Sequence, residues 1–376
     1  MTIDMRKCLV LAAGLIVAAT PATAAATGGG PQVIASGLDN PRGLDFGLGG
    51  ELYVAEAGRG GTDCSLESPE GGEPGCFGKT GAITKIDKRG NKKRVVANLP
   101  SVASQTGGEA SGPSDISFTL GGLLGYFTVG LGANPALRDQ HPQTAGMGKL
   151  YRLLPTGHVL GTAGDPAAYE AANNPDSGQP TAEVDSNPNS VDATGLHVTV
   201  ADAGGNSLIR YGLRGPETLG VIPFKMSPAP EIPDFPVPPG TPIPTQSVPT
   251  SIVRGPDGAY YVGQLTGFPF PTGGASVWRI VPGQAPTEYA TGFTTINDLA
   301  FGKDGTLYVL QMTSATLIGP PTPGKLIRVP KRGARTEIAP GTLTSPTGLA
   351  VHDKFAYVSN KGDQAGAGEI VKLPLR

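Results

Sequence analysis

The side chains that could do chemistry in this chain fall at repeating positions. Glu56, Asp202, Gln264, Gln311 and Asn360 each close a short apolar run, such as Leu52-Tyr53-Val54-Ala55 or Val198-Thr199-Val200-Ala201. A second set follows shortly after a recurring start: Asp115 in Pro113-Ser114-Asp115-Ile116, Asn189 in Pro188-Asn189-Ser190-Val191, and Asn297 with Asp298 in Ile296-Asn297-Asp298-Leu299. Carboxylate and amide oxygens are hard ligands, and several of them meeting at one point suit calcium. Glu56, Asp115, Asn189, Asn297 and Asp298 are the expected coordination set. Asp202, Gln264, Gln311 and Asn360 would make a further ring beside it. The same residue types also serve without a metal, because they satisfy turn backbones and line water-filled channels. Other chemistries find less support. His141, His158, His197 and His352 are scattered, and no Gly-x-Ser-x-Gly elbow, phosphate-cradling loop or His-x-x-x-His pair is present.

A repeat must position these groups. The start recurs at 41, 113, 188, 249, 296 and 346, for example as Pro41-Arg42-Gly43-Leu44 and Pro346-Thr347-Gly348-Leu349. A second strand follows each start. A third reads aliphatic, any residue, Lys or Arg, apolar, as in Ile83-Thr84-Lys85-Ile86, Val277-Trp278-Arg279-Ile280 and Ile370-Val371-Lys372-Leu373. That basic residue is expected to be structural, its stem packed between sheets and its head reaching water or a carboxylate. A fourth strand is present in every copy but the last, and Gln32–Leu38 supplies the missing one from the other end of the chain. Ordered copies with a split last member predict an all-β fold, a six-bladed β-propeller whose N-terminal strand completes the last blade and leaves no open sheet edge. In a propeller the first strands surround the central channel, which is why the oxygen-bearing residues are expected to converge there.

Residues 1–26 read as a secretory signal peptide: Arg6 and Lys7, an apolar run from Cys8 to Ala19, then Ala22-Thr23-Ala24. Residues 31–376 are expected to form one propeller domain, secreted and monomeric. A net charge of -2 and a charged fraction of 16% give no electrostatic case for nucleic acid or an anionic membrane. Partners are then a small molecule or an extracellular protein. Cys64 and Cys76 share the Gly-, Glu- and Pro-rich insertion from Thr62 to Lys79, and an exported protein favours a disulfide between them. A metal pair is less favoured, since no histidine lies nearby. Further insertions run over residues 130–148, 165–187 and 223–249. One helical turn is expected near residues 166–171, and extended polyproline-like backbone around Pro236-Val237-Pro238-Pro239.

The stretches Leu38-Asp39-Asn40-Pro41-Arg42-Gly43-Leu44 and Leu52-Tyr53-Val54-Ala55-Glu56-Ala57-Gly58-Arg59-Gly60-Gly61 resemble the opening of the ScyD/ScyE family of exported bacterial propellers. The likeness continues through the cysteine-bearing loop and Gly112-Pro113-Ser114-Asp115. It implies fold and export rather than a reaction. The blades are also similar to NHL-repeat propellers, and in plan to gluconolactonase and paraoxonase propellers. The latter resemblance implies a channel calcium, to which Glu56, Asn189, Asn297 and Asp298 correspond by blade position. Two functions follow. One is a binding protein that engages a ligand or partner through its loop-rich face. The other is a metal-dependent lactone or ester hydrolase, with Asp298 or Glu56 as metal ligand or base.

Overall fold

The computed structural model describes residues 30–66, 74–195 and 197–375; the expected signal peptide lies outside them. Each repeat copy folds into a four-strand antiparallel unit because its apolar residues alternate and its turns carry glycine or aspartate. Blade 1 comprises Pro41–Phe46, Leu52–Glu56, Gly75–Ile86 and Lys92–Ala103. Blade 2 comprises Pro113–Thr119, Leu124–Val129, Lys149–Leu153 and Val159–Gly164. Blade 3 comprises Pro188–Asp192, Val198–Asp202, Ser207–Gly212 and Gly215–Val221. Blade 4 comprises Pro249–Arg254, Tyr260–Gln264, Ala275–Ile280 and Thr287–Phe293. Blade 5 comprises Ile296–Phe301, Leu307–Gln311, Gly324–Val329 and Thr336–Leu343. Blade 6 comprises Gly348–His352, Phe355–Asn360 and Gly368–Pro374, and its outer strand is Gln32–Leu38, with Gln32 opposite Lys372 and Leu38 opposite Gly368. The innermost strands touch in order around the ring, and that of blade 1 contacts those of both blades 2 and 6. The six-bladed propeller closed by its N-terminal strand is therefore what the chain forms.

Side chains from facing sheets bury their apolar area in the seams between blades. Tyr53, Ile83, Phe118 and Phe127 fill the seam of blades 1 and 2. Leu150, Val191 and Val200 fill the next. Leu208, Tyr260 and Trp278 join blades 3 and 4, and Val277, Leu299 and Val309 join blades 4 and 5. Leu310, Leu326 and Val358 join blades 5 and 6, and Leu44, Val54 and Ile370 close the circle. The third-strand cation reaches a carboxylate in at least three blades: Arg210 meets Glu217 at 2.7 Å in the neighbouring strand. Lys85 reaches Glu51 at 2.9 Å and Arg279 reaches Asp257 at 2.8 Å, each carboxylate lying at or just before the second strand.

The insertions are more ordered than their composition suggests. Cys64 and Cys76 form the expected disulfide. The segment around it is not a plain loop: Asp63–Leu66 pairs with the end of Gly75–Ile86, making blade 1 a five-stranded sheet. The helical turn of the third insertion is a full helix, Pro166–Asn173, with the Asp165 side chain accepting from the Ala168 N–H. The proline-rich insertion contains a two-stranded antiparallel pair of Lys225–Pro228 and Pro242–Thr245, in register throughout although prolines occupy both strands.

Candidate functional site

The first strand of each blade offers side chains at two channel-facing positions. At the first stand Arg42, Ser114, Asn189, Thr250, Asn297 and Thr347; at the next stand Gly43, Asp115, Ser190, Ser251, Asp298 and Gly348. The first position builds the mouth on the face that bears the insertions. There a cavity of about 370 Å³ is lined from all six blades, including Arg42, Ser114, Asn189, Thr250, Asn297 and Thr347. Loop residues Glu109, Ser111, Asn187 and Asp363 complete its polar lining, and Val248, Leu265 and Met312 add apolar wall. The opposite mouth is smaller, about 180 Å³, and lies between Asp45, Asp192, Phe301 and Val351. Asp115, Ser190 and Asp298 border both spaces, so they mark the waist of the channel.

At the waist the carboxylates are bonded to backbone. Asp115 Oδ1 accepts from the Ile116 N–H at 2.8 Å, while Oδ2 accepts from Ser190 Oγ at 2.7 Å and the Val191 N–H at 2.9 Å in the next blade. Asp298, three blades away, repeats this with Leu299 N–H at 2.8 Å and Leu349 N–H of blade 6 at 2.6 Å. Asp45, one pleat further down, bonds Phe46 N–H and Phe118 N–H of blade 2, both at 2.7 Å. Neutral residues continue the scheme. Ser190 Oγ accepts from Ile252 N–H at 3.2 Å, Thr250 Oγ1 donates to Ile296 O at 2.6 Å, and Thr347 Oγ1 donates to Pro41 O at 2.6 Å. Side chains of the inner strands thus clasp each blade to its successor around the whole ring. Glycine is required where a clasp passes: a Cβ on Gly43 would stand 1.9 Å from Asp115 Oδ1.

These carboxylates sit in a shared low-dielectric space, which penalises their charged forms. Burial pushes Asp45 up to about 7, against the pull of its two N–H donors, with Asp115 and Asp192 adding repulsion. Burial likewise pushes Asp115 up to about 6, offset by Ser190 and the backbone amides. Asp298 is held well above its ordinary range by burial and then by Asp115. At the mouth, burial lowers the Arg42 guanidinium while Asp363 opposes the shift. Arg42 donates to Gly362 O and Ala110 O, at 3.0 and 2.8 Å. Asp363 Oδ1 is buried at the mouth with no hydrogen-bond partner.

Of the five residues expected to coordinate calcium, the structure brings Asp115, Asn189, Asn297 and Asp298 to one cavity and leaves Glu56 out. Glu56 is fully buried in blade 1, where Oε2 accepts from Asp39 N–H at 2.7 Å and from Arg94 Nη2 at 2.8 Å, and Oε1 accepts from Thr84 Oγ1 and from Arg94 Nε at 3.1 Å. The remaining four are partly committed to the ring. Asn189 and Asn297 donate amide N–H groups to Thr250 O and Pro346 O, at 2.7 and 3.1 Å, which orients the side chains and leaves their amide oxygens uncommitted. The carboxylates of Asp115 and Asp298 hold backbone amides, and among the described residues no three His, Cys, Asp or Glu side chains gather to hold an ion.

The expected second ring is not at the channel either. A residue closing the second strand lies opposite the first residue of its blade, as Glu56 does to Pro41 and Asp202 to Pro188. From there Glu56, Asp202 and Asn360 turn back to the segment entering the blade, while Gln264 and Gln311 bond the third strand and the loop that follows. Asp202 accepts from Ser186 Oγ at 2.7 Å and Asn187 N–H at 2.6 Å. Asn360 Oδ1 accepts from Thr344 N–H at 2.7 Å. Gln264 Oε1 accepts from Trp278 Nε1 at 2.7 Å, and Gln311 Nε2 donates to Thr313 O at 3.3 Å. Asp45 was missed by the sequence reading, although its signal was present: an aspartate in strand alternation with Leu44 and Phe46, matched by Asp192 in blade 3.

No family model and no curated protein matches this chain. Solved structures do. A glucose dehydrogenase is 13% identical with a TM-score of 0.51, over 91% of this chain and 98% of that one. The PQQ-bound aldose sugar dehydrogenase of Streptomyces coelicolor is 14% identical with a TM-score of 0.48, over 91% and 96%. An auxiliary nutrient binding protein of Bacteroides thetaiotaomicron is 9% identical with a TM-score of 0.48, over 89% and 69%. At such identities the likeness concerns the fold.

Proposed function

We propose that this is an exported binding propeller, similar to the ScyD/ScyE proteins, that takes a small polar compound in the mouth of its channel on the insertion-bearing face. The observation that carries this reading is the cavity of about 370 Å³ to which all six blades contribute a polar side chain. Its volume falls within the range of small-molecule pockets, about 300–1,000 Å³. Four carboxylates line it, Glu109, Asp115, Asp298 and Asp363, against one guanidinium, Arg42. That balance disfavours anions and suits neutral hydroxyl-rich or cationic amine compounds, whose N–H and O–H groups would meet Asp363 Oδ1. The disulfide Cys64–Cys76 agrees with an oxidising location.

Thermal-shift screening of polyols, sugars and amines, followed by calorimetry of the hits, tests the reading. An Asp363→Asn variant should weaken an amine at least tenfold and a neutral polyol by less, on the arithmetic of about 1.4 kcal/mol per decade. Binding dominated by anions, or binding indifferent to Asp363, Asn189 and Asn297, would sink it. The alternative of a calcium-dependent hydrolase in the channel is less favoured, because Glu56 is away from the cavity and Asp115 and Asp298 already hold N–H and O–H donors.

A further inference from the structure

The third insertion contains carboxylates that no clasp uses. Glu170, on the helix Pro166–Asn173, is fully buried, yet neither of its carboxylate oxygens has a hydrogen-bond partner. Asp176 is 1% exposed; its Oδ2 accepts from Asn206 Nδ2 at 2.9 Å, while its Oδ1 is buried without a partner. Asp202, Asp176 and Asp185 are the charges that bear on Glu170, and no lysine or arginine is among them. Asn174 Oδ1, at the end of the same helix, is a further buried oxygen without a partner. Glycine at 205 permits the approach: a Cβ there would stand 2.3 Å from Glu170 Oε2 and 3.5 Å from the backbone oxygen of Asp185.

A buried carboxylate without partners is costly in either protonation state. Ionised, it lacks a counter-charge. Protonated, it carries an O–H that must turn to an acceptor, and neither oxygen is engaged as it stands. Burial first, and then Asp202, Asp176 and Asp185, push Glu170 up to about 8. A bound cation would remove both penalties at once. Since no three carboxylates close on one point among the described residues, the donor set has to mix carboxylates with neutral oxygens and water. Calcium, with about 6–8 oxygen ligands in flexible geometry, accepts such a set.

We propose that this cluster of buried oxygens is a structural site for a divalent hard cation of the calcium type, held by Glu170 and Asp176 together with neutral oxygens of the third insertion. The site is separate from the channel. It would brace the segment from Asp185 to Asn187, whose end is anchored by Asp202 and whose Asn187 lines the mouth cavity. An ion here supports the shape of that cavity without entering it.

Calcium calorimetry and thermal unfolding on chelator-stripped protein test the site, with Glu170→Gln, Asp176→Asn and Asp298→Asn compared. The expected result is one calcium per chain with a dissociation constant below about 1 mM, and a melting temperature that rises with calcium. Glu170→Gln and Asp176→Asn should each lose both effects, while Asp298→Asn keeps them. Asp176→Asn preserves the Asn206 contact through its amide oxygen, so it stays informative if Glu170→Gln folds poorly. Absence of binding in the wild type would leave Glu170 as a protonated carboxyl and overturn the proposal. So would binding that survives both insertion variants, or that disappears with Asp298→Asn.

Discussion

The channel waist and the third insertion hold the same kind of side chain in opposite circumstances. Asp115, Asp298 and Asp45 are half-buried channel carboxylates whose oxygens are all engaged by N–H or O–H donors, most of them from the neighbouring blade. Glu170 is a buried carboxylate with no donor at all. Composition cannot tell the two apart, because an acidic residue near a glycine reads alike in both places. The partners decide. A carboxylate tied to the next blade is mortar for the ring, its oxygens already engaged. A carboxylate with nothing to hold is where an unmet demand for a ligand remains.

Removing a clasp should have the largest effect. Asp115→Ala strands the Val191 and Ile116 amides and Ser190 Oγ, and each buried donor left unpaired costs about 1–3 kcal/mol. A loss of about 3 kcal/mol or more is expected in urea unfolding. A loss under about 1 kcal/mol would return Asp115 to the role of a solvated channel lining. Glu56→Gln should cost about 2 kcal/mol, because it breaks a buried partner of Arg94. Exposure of the Arg94 side chain, 42%, keeps the figure below that of a fully enclosed pair. The same substitution should leave calcium binding unaltered, since Glu56 lies away from both the channel and Glu170.

The pH dependence sharpens the contrast within the ring. The folded-state values of Asp45 and Asp115, about 7 and about 6, lie above the ordinary 3.8 of an aspartate. The folded protein therefore binds more protons than the unfolded chain between about pH 4 and 7. Stability from these groups is full below pH 4 and is lost as pH rises through their folded values. Each contributes a slope of up to about 1.4 kcal/mol per pH unit inside that window. Melting temperature should accordingly climb from pH 8 toward pH 5, and Asp45→Asn should flatten the upper part of the curve. A curve that falls over the same range would show that the carboxylates are ionised and compensated in the folded state.

The repeat made the ring legible, since six copies of a start, a second strand and a cationic third strand admit few other architectures. Asp115, Asn189, Asn297 and Asp298 were placed at the channel for the same reason: blade position fixes depth along the axis. Glu56 and the Asp202, Gln264, Gln311 and Asn360 set were misplaced because the end of a second strand sits one strand away from the axis, and the side chains there serve the incoming segment, the third strand or the loop that follows. The clasps themselves could not be read from one blade, because the bonds run between blades. Glu170 was invisible for a different reason: it lies in an insertion with no repeat to compare it with, and its significance is the lack of partners, which only coordinates reveal.

The smallest expected effect is the most discriminating. In calcium-free buffer Glu170→Gln should change stability by less than about 0.5 kcal/mol, or raise it. The amide keeps the volume and removes a group that is costly whether ionised or protonated. Asp115→Asn, an equally conservative change at the waist, should cost at least about 1 kcal/mol, because an amide nitrogen must now face an N–H donor. Unfolding both variants beside the wild type, with and without calcium, therefore yields four differences. If Glu170→Gln is as damaging without calcium as Asp115→Asn, Glu170 has partners in solution and the two regions are alike. If it is silent without calcium and damaging with it, the region outside the ring is held by an ion and the ring by its own backbone.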